Sequence, residues 1–326
     1  MLSSGRGTVR GSERVRMRWW FYILAACGAA WLWAAPALAE NLAEATRKDT
    51  LVLGRISSSP DKQYPKLEAL NAYVVRQLAA DTPIRASAVV VAEDIDHMAR
   101  LLREGKVDYL SETAFTALQL EKLRLADIFL HEWKNGVATY ATLILARKDG
   151  IASLAELRGR RLAFEDPDSM SGFFLPYAFL TTSGLTLRAA DDPKLKLDRQ
   201  AVSYSFAGGE TSILAQIVRR HADAGVISNT RWSNNAKIPP AFRRDLKVIG
   251  QTKPTVRSLM LTRRGLDGAL KERLAAILLA MPHHPDGKAA LKTYFKVGRY
   301  QKLSPETLAQ LEDLRRSLNN NFAGLP

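Results

Sequence analysis

Residues 50–56 (TLVLGRI) are apolar at nearly every position, the pattern of a strand buried on both faces, and the turn-rich SSSPD follows. From Tyr64, YPKLEALNAYVVRQLA places Leu67, Leu70, Val74, Val75 and Leu78 at helical spacing. IRASAVVVA predicts a second strand. DIDHMARLLREG predicts a helix with Asp94 as N-cap and Gly105 as its stop; VDYLS is a third strand and ETAFTALQLEKLRLA a further helix. The pattern then recurs. ATYATLILARKD predicts one long strand, LAELRG a short helix, RRLAFE a strand, and SGFFLPYAFLTTSG a helix closed by Gly184. The AVSYSF strand, the ETSILAQIVRRH helix and the DAGVIS strand complete the second set. LKVIGQTKPTVRSLMLTRR supplies two short strands around a proline bend. The rest is helical, ending in SPETLAQLEDLRRSLN with Ser304 as N-cap and Pro305 at the first helical position.

Alternating strands and helices predict an α/β fold of two lobes, each a mostly parallel sheet flanked by helices. MARLLREGKVDYLSET and ILAQIVRRHADAGVISNT share a layout of helix, turn with an aspartate (Asp108, Asp223) and strand ending in serine, as two similar lobes would produce. Crossovers are expected near 139–147 and 250–258. They divide the chain into a first lobe over 40–138, a second over 139–251, and a return to the first over 252–326. Ligand crevices in such sheets lie beyond the carboxyl ends of the strands, which selects the loops at 55–64, 111–115, 166–172, 207–211 and 228–232.

The segment before residue 40 reads as an address. Arg14, Arg16 and Arg18 precede WWFYILAACGAAWLWAAPALA, and Ala37-Leu38-Ala39 ends it, the three parts of a secretory signal peptide cleaved after Ala39. An uncleaved anchor and a lipoprotein box at Leu24-Ala25-Ala26-Cys27 are the alternatives; the apolar run through Trp31 and Trp33 argues against the second. Cys27 is the sole cysteine, so a chain cleaved after Ala39 has no thiol chemistry and no disulfide. The bacterial periplasm is the expected compartment. The net charge of +14 falls to 42 basic against 32 acidic residues once 1–39 are removed. Basic pairs such as Arg160-Arg161, Arg219-Arg220 and Arg243-Arg244 are dispersed. The charge therefore suits mild steering of small anions, or attraction to anionic surfaces, better than nucleic-acid binding.

The segment AFEDPDSMSGFFLPYAF carries the most chemistry. A strand ends at Glu165, Asp166-Pro167 turns the chain, and a helix begins at Ser169, Met170, Ser171 and Gly172. Free backbone N–H groups and the helix dipole make such a start an anion site, although Asp and Ser there also serve as plain caps. Arg55 follows the first strand and can grip an anion bidentately. Glu112 and Thr113 end the third strand, Glu210 begins the second-lobe helix, and Tyr64, Trp133 and Trp232 stand near the expected crevice. His283-His284 lacks metal-ligand spacing.

The strand–DPxSxSGF–helix segment, the GKVDYLSETAF segment and the AGGET helix start, in this order, resemble the periplasmic solute-binding proteins of phosphate/phosphite/phosphonate ABC transporters, across most of residues 50–262. The resemblance implies a type II periplasmic binding fold and a ligand whose oxygens are gripped by Ser169, Ser171 and the N–H groups of Met170 and Gly172. Three positions depart from the family pattern. Met170 replaces a threonine, Glu112 stands where a tyrosine is usual, and Gly209 replaces a histidine, leaving Glu210. A carboxylate about 4 Å from a fully ionised oxyanion costs roughly 4 kcal/mol at an effective dielectric near 20. Glu112 therefore requires a proton or amine on the ligand, or neutralisation by Arg55 or another base; otherwise the ligand is not phosphorus-based.

No G-x-S-x-G elbow, H-E-x-x-H, Walker loop or dinucleotide glycine motif is present. The expectation is a monomeric non-enzyme with no cofactor, metal or nucleic-acid partner. It would close on a small anion and present both lobes to an inner-membrane ABC permease, or to a membrane sensor.

Overall fold

The computed structural model describes residues 49–190 and 198–322. The expected signal peptide, Cys27 and the cleavage point at Ala39 lie outside them. The chain runs β1 (Thr50–Ile56), α1 (Tyr64–Leu78), β2 (Ala86–Ala92), α2 (Ile95–Arg103), β3 (Tyr109–Glu112), α3 (Ala114–Lys122) and β4 (Ala126–Glu132). It continues through β5 (Thr139–Tyr140), β6 (Thr142–Arg147) and β7 (Arg161–Phe164). A π-helical turn (Met170–Phe174) then runs into α4 (Leu175–Thr182), followed by β8 (Thr186–Ala189), β9 (Ala201–Phe206), α5 (Glu210–Val218) and β10 (Ala224–Ser228). After α6 (Pro240–Asp245) and β11 (Leu246–Gln251) come β12 (Thr255–Val256), β13 (Ser258–Arg263), α7 (Gly268–Ala280), α8 (Pro285–Thr293), β14 (Tyr300–Gln301) and α9 (Pro305–Asn321).

Two six-stranded sheets result, in the orders β14-β4-β13-β3-β1-β2 and β11-β6-β10-β7-β9-β8. Within each, the strands joined through helices are parallel (β1 with β3; β10, β7, β9 and β8 in turn), and the strands next to the crossovers run antiparallel. A two-stranded ladder of β5 and β12, pairing Tyr140 with Thr255 and Thr139 with Val256, joins the two passages of chain between the sheets. The α/β two-lobed expectation holds, and each sheet is mixed.

Both faces of each sheet are covered, which explains the unbroken apolar runs. In β1, Leu51 and Leu53 pack with Leu67, Leu70, Val74 and Leu78 of α1 and with Leu274 and Leu278 of α7. Val52, one position out of phase, packs on the opposite face with Met98, Leu102 and Phe115. The second sheet repeats this. Leu143 and Leu145 of β6 meet Ile213, Leu214 and Ile217 of α5, while Ile144 and Ala146 belong to the cluster holding Phe164 and Phe174. That cluster spans the lobes: Phe115 stacks on Phe174 with ring centroids 4.5 Å apart, and Phe322, after α9, lies 5.2 Å from Phe174.

The two matching layouts use their aspartates alike. Asp108 accepts the N–H of Val52 and Asp223 that of Arg161, each at 2.9 Å, tying the turn before β3 or β10 to its parallel neighbour. The expected caps are made: Asp94 accepts from the N–H of His97 at 2.7 Å and Ser304 from that of Thr307 at 3.1 Å. Three strands were not anticipated: β4, β8 and β14. The long strand expected over 138–149 divides at Ala141, whose N–H goes to the Asn229 side chain at 3.0 Å; the next N–H, of Thr142, goes to Thr252 Oγ1 at 2.9 Å.

Candidate functional site

A cavity of about 190 Å³ opens between the strand ends of the two sheets and the crossover ladder. Arg55 at the end of β1, Thr113 after β3, Lys134 after β4 and Ser258 at the start of β13 form one wall. Asp168, Ser169, Met170 and Ser171 form the opposite wall; Tyr140 and Arg257 close it beside the ladder. Both crossovers therefore contribute to the site as well as both lobes.

The serine-rich turn is shaped by its own side chains. Ser169 Oγ accepts the N–H of Gly172 at 2.9 Å and donates to Glu165 Oε2 at 2.6 Å. Phe173 and Phe174 both send their N–H to the Ser169 carbonyl at 3.0 Å, widening the first turn to π geometry. This leaves the N–H groups of Met170 and Ser171 at the open first turn, beside the cavity. Gly172 is required by contact: a Cβ there would lie 2.3 Å from Glu165 Cβ and 2.8 Å from Ser169 Oγ. Thr142 Oγ1 donates to the Ser171 carbonyl at 2.7 Å, fixing the turn to β6.

Three cations meet in the cavity wall. Arg55 donates to the Ser111 carbonyl at 3.2 Å and lies 4.4 Å from the centre of the Phe295 ring; Lys134 Nζ lies 4.5 Å from the same ring. Arg257 donates to the Lys134 carbonyl at 2.8 Å. Lys134 keeps part of its surface in solvent, yet loss of hydration at its ammonium, reinforced by Arg55 and Arg257, brings its pKa down from 10.5 to about 7. Burial also lowers Arg257. Asp168 is the carboxylate in the wall; it is exposed, yet partial loss of hydration, then repulsion from Asp94 and Asp96 at the start of α2, raises its pKa.

Glu112, Gly172, Glu210, Tyr64 and Trp232 do not line the cavity. Glu112 is buried and accepts the N–H of Ile56 at 2.7 Å; burial raises it, opposed by Arg55, that N–H and Lys134. Its neighbour Thr113 caps α3. Glu210 accepts both the N–H and the hydroxyl of Ser228 at 2.8 Å and faces Arg231 at 3.9 Å, locking the end of β10. Tyr64 is exposed. Trp232 packs beneath the Arg243 guanidinium, 4.3 Å from its ring centre. Trp133, likewise, is covered by Arg299 at 3.8 Å.

Sequence reasoning did not name Lys134, Tyr140, Asp168, Arg257 or Ser258. Asp168 lay inside the selected 166–172 loop. Arg257 and Ser258 stood in the proline-bend crossover, where a basic residue beside an expected hinge was the available signal. Among the described residues no group of three His, Asp, Glu or Cys side chains could hold a metal ion, and no helix is long and apolar enough to cross a membrane.

The chain matches, over residues 56–308, the family model of the ABC transporter phosphonate periplasmic substrate-binding protein. XAC2383 from Xanthomonas citri is similar across the fold. Its chloride-bound structure is 31% identical with a TM-score of 0.80, covering 85% of this chain and 100% of that one. Its ATP-bound structure is 32% identical with a TM-score of 0.78, covering 83% and 97%. PhnD1 from Prochlorococcus marinus in complex with methylphosphonate shares the fold at 18% identity and a TM-score of 0.61, covering 83% of this chain and 99% of that one. In sequence, that probable ABC transporter phosphite binding protein is 22% identical over 192 residues, 58% of this chain and 62% of its own length. The phosphate-import protein PhnD of Mycolicibacterium smegmatis is 32% identical over 99 residues, 30% of each chain. The chain thus spans less than two thirds of either curated relative.

Proposed function

We infer, since this chain belongs to the periplasmic substrate-binding proteins of phosphonate ABC transporters, that its cavity takes a small phosphorus oxyanion (phosphate, phosphite or a phosphonate) and that closure over it presents both lobes to a permease in the inner membrane. The family is one of binding proteins, not catalysts. The observation that carries the ligand class is the meeting of Arg55, Lys134 and Arg257 with the Ser169–Ser171 helix start in one cavity. Cations and free N–H groups converging on a partly dehydrated space favour an anion with several oxygens. Glu112 does not oppose this: it stands outside the cavity wall, burial disfavours its charge, and Arg55, the Ile56 N–H and Lys134 offset what charge it carries.

The ligand-bound state is the one both lobes can hold at once, so occupancy shifts the molecule toward closure. XAC2383, solved with chloride and with ATP, favours a second reading in which the phosphate group belongs to a larger molecule.

The experiment is thermal unfolding of the exported protein, refolded to strip bound solute, against phosphate, phosphite, methylphosphonate, aminoethylphosphonate, sulfate, small carboxylates and ATP. A ligand at 100 times its dissociation constant adds about 2.7 kcal/mol, a clear rise in melting temperature. A rise with one of the phosphorus oxyanions supports the first reading, and a rise with ATP alone the second. A flat panel overturns both.

A further inference from the structure

We propose that the cavity selects an oxyanion that still carries a proton, because two carboxylates, the buried Glu132 and the partly buried Glu165, turn two of the hydroxyls in its wall, those of Ser258 and Ser169, into hydrogen-bond acceptors. This rests on the oxyanion reading above and adds the protonation state. Ser258 Oγ donates to Glu132 Oε1 at 2.9 Å. Glu132 is fully buried, and the same oxygen takes a second hydroxyl, that of Ser111, at 3.2 Å. Across the cavity, Ser169 Oγ donates to Glu165 Oε2 at 2.6 Å while accepting from Gly172. A hydroxyl has one proton and two lone pairs. With the protons committed inward, Ser258 offers the cavity lone pairs alone, and Ser169 the single one that Gly172 leaves.

A protonated ligand oxygen can donate to these acceptors. A bare one meets lone pair against lone pair, and both sides lose hydration without a bond. Arg55, Lys134 and Arg257 supply donors for the remaining, ionised oxygens. Asp168, the carboxylate in the wall, adds an acceptor and no donor while it is ionised. Hydrogen phosphate satisfies both sets. Sulfate has the same shape and charge but no proton at neutral pH, so it leaves the serines unpaired. A site built around a hydrogen bond rejects the analogue that lacks it far more strongly than one built on size alone. Glu132 and Glu165 act through the serines and are positioning residues. Burial raises the Glu165 carboxyl, so the Ser258–Glu132 pair gives the cleaner test.

The test is titration calorimetry of the stripped protein with inorganic phosphate and with sulfate at about pH 8, where phosphate keeps one proton and Lys134, at about 7 in the empty protein, recharges alike for either dianion. The wild-type protein is expected to prefer phosphate by about tenfold or more. Ser258→Ala is expected to shrink that ratio by about tenfold, chiefly through weaker phosphate binding, and Ser258→Thr, which keeps the hydroxyl, to preserve it. Equal wild-type affinity for the two anions, or an unchanged ratio in the alanine variant, overturns the inference alone. Binding of neither anion overturns this inference, and the oxyanion reading falls with it only if phosphite and the phosphonates also fail to bind. Should the alanine variant fail to fold, the wild-type ratio decides.

Discussion

A lysine in the wall of the proposed anion cavity carries its charge at a cost while no anion is beside it. Lys134 titrates at 10.5 when fully hydrated and at about 7 in the folded protein, chiefly because its ammonium is dehydrated there, with Arg55 and Arg257 adding repulsion. Between those values the unfolded chain binds a proton that the folded chain does not, so stability of the empty protein rises with pH across that window. Lys134→Met removes the dehydrated charge. The variant should melt higher than the wild type when ligand-free, with a flatter dependence on pH above about 7, and should bind oxyanions more weakly. An anion beside the ammonium favours its protonated form. Ligand binding by the wild type above pH 7 should therefore take up a proton that the methionine variant does not, as calorimetry in buffers of different ionisation enthalpy would detect. A variant that melts lower and keeps the wild-type proton uptake would show that Lys134 does not face the ligand.

The helix start at Ser169 was legible because its signals are local: Asp-Pro to turn the chain, serines to cap, a glycine where Glu165 and Ser169 leave no room for a Cβ. Its anchoring was not. The hydroxyl of Thr142, 29 residues away in sequence, holds the Ser171 carbonyl, and the break in the expected long strand depends on Asn229 and Thr252, 88 and 110 residues away. Such contacts leave no periodic trace. β4 escaped for a different reason. ADIFLHE carries Asp127, His131 and Glu132 among its apolar residues, and the helix read over ETAFTALQLEKLRLA ran into it. His131 and Glu132 are nevertheless buried, His131 bonded to the Ala138 carbonyl at 2.8 Å and Glu132 to two serines. Because β4 was missed, Lys134 just beyond it was missed too. At this scale the sharp expectation concerns Thr142→Val, which keeps shape and loses the hydroxyl. Leaving the Ser171 carbonyl without its partner should destabilise the protein by about 1–3 kcal/mol in denaturant unfolding and weaken oxyanion binding. Unchanged affinity would mean that the turn holds its form without β6.

At the scale of the whole molecule, the contacts that join the lobes suit rotation more than separation. The ladder of β5 with β12, the Phe115–Phe174 stack and Phe322 against Phe174 all bridge the two sheets. The C-terminal helix also reaches both: Arg315 pairs with Glu121 of α3 at 2.8 Å, and Asn321 accepts from Thr181 of α4 at 3.0 Å. In the proposed closure, a pivot fixed in this way leaves the cavity walls as the parts that approach, and Asp168 would oppose that approach. It stands on the second-lobe wall, and Asp94 and Asp96 of the first lobe push its pKa upward after partial loss of hydration does. In the proposed mechanism its charge would disfavour closure as well as repel an anion. Asp168→Asn removes both effects while leaving the Ser169 cap in place. The variant should bind oxyanions more tightly, by a few-fold at most because Asp168 is exposed and screened, and a larger fraction of it should be closed before ligand arrives. Small-angle scattering reads the second effect directly: the wild type should contract on saturation with its ligand, and the ligand-free asparagine variant should already lie between the two wild-type values. Identical radii of gyration for free and saturated wild-type protein would remove closure from the mechanism, and tighter binding by the variant would then be due to the lost repulsion alone.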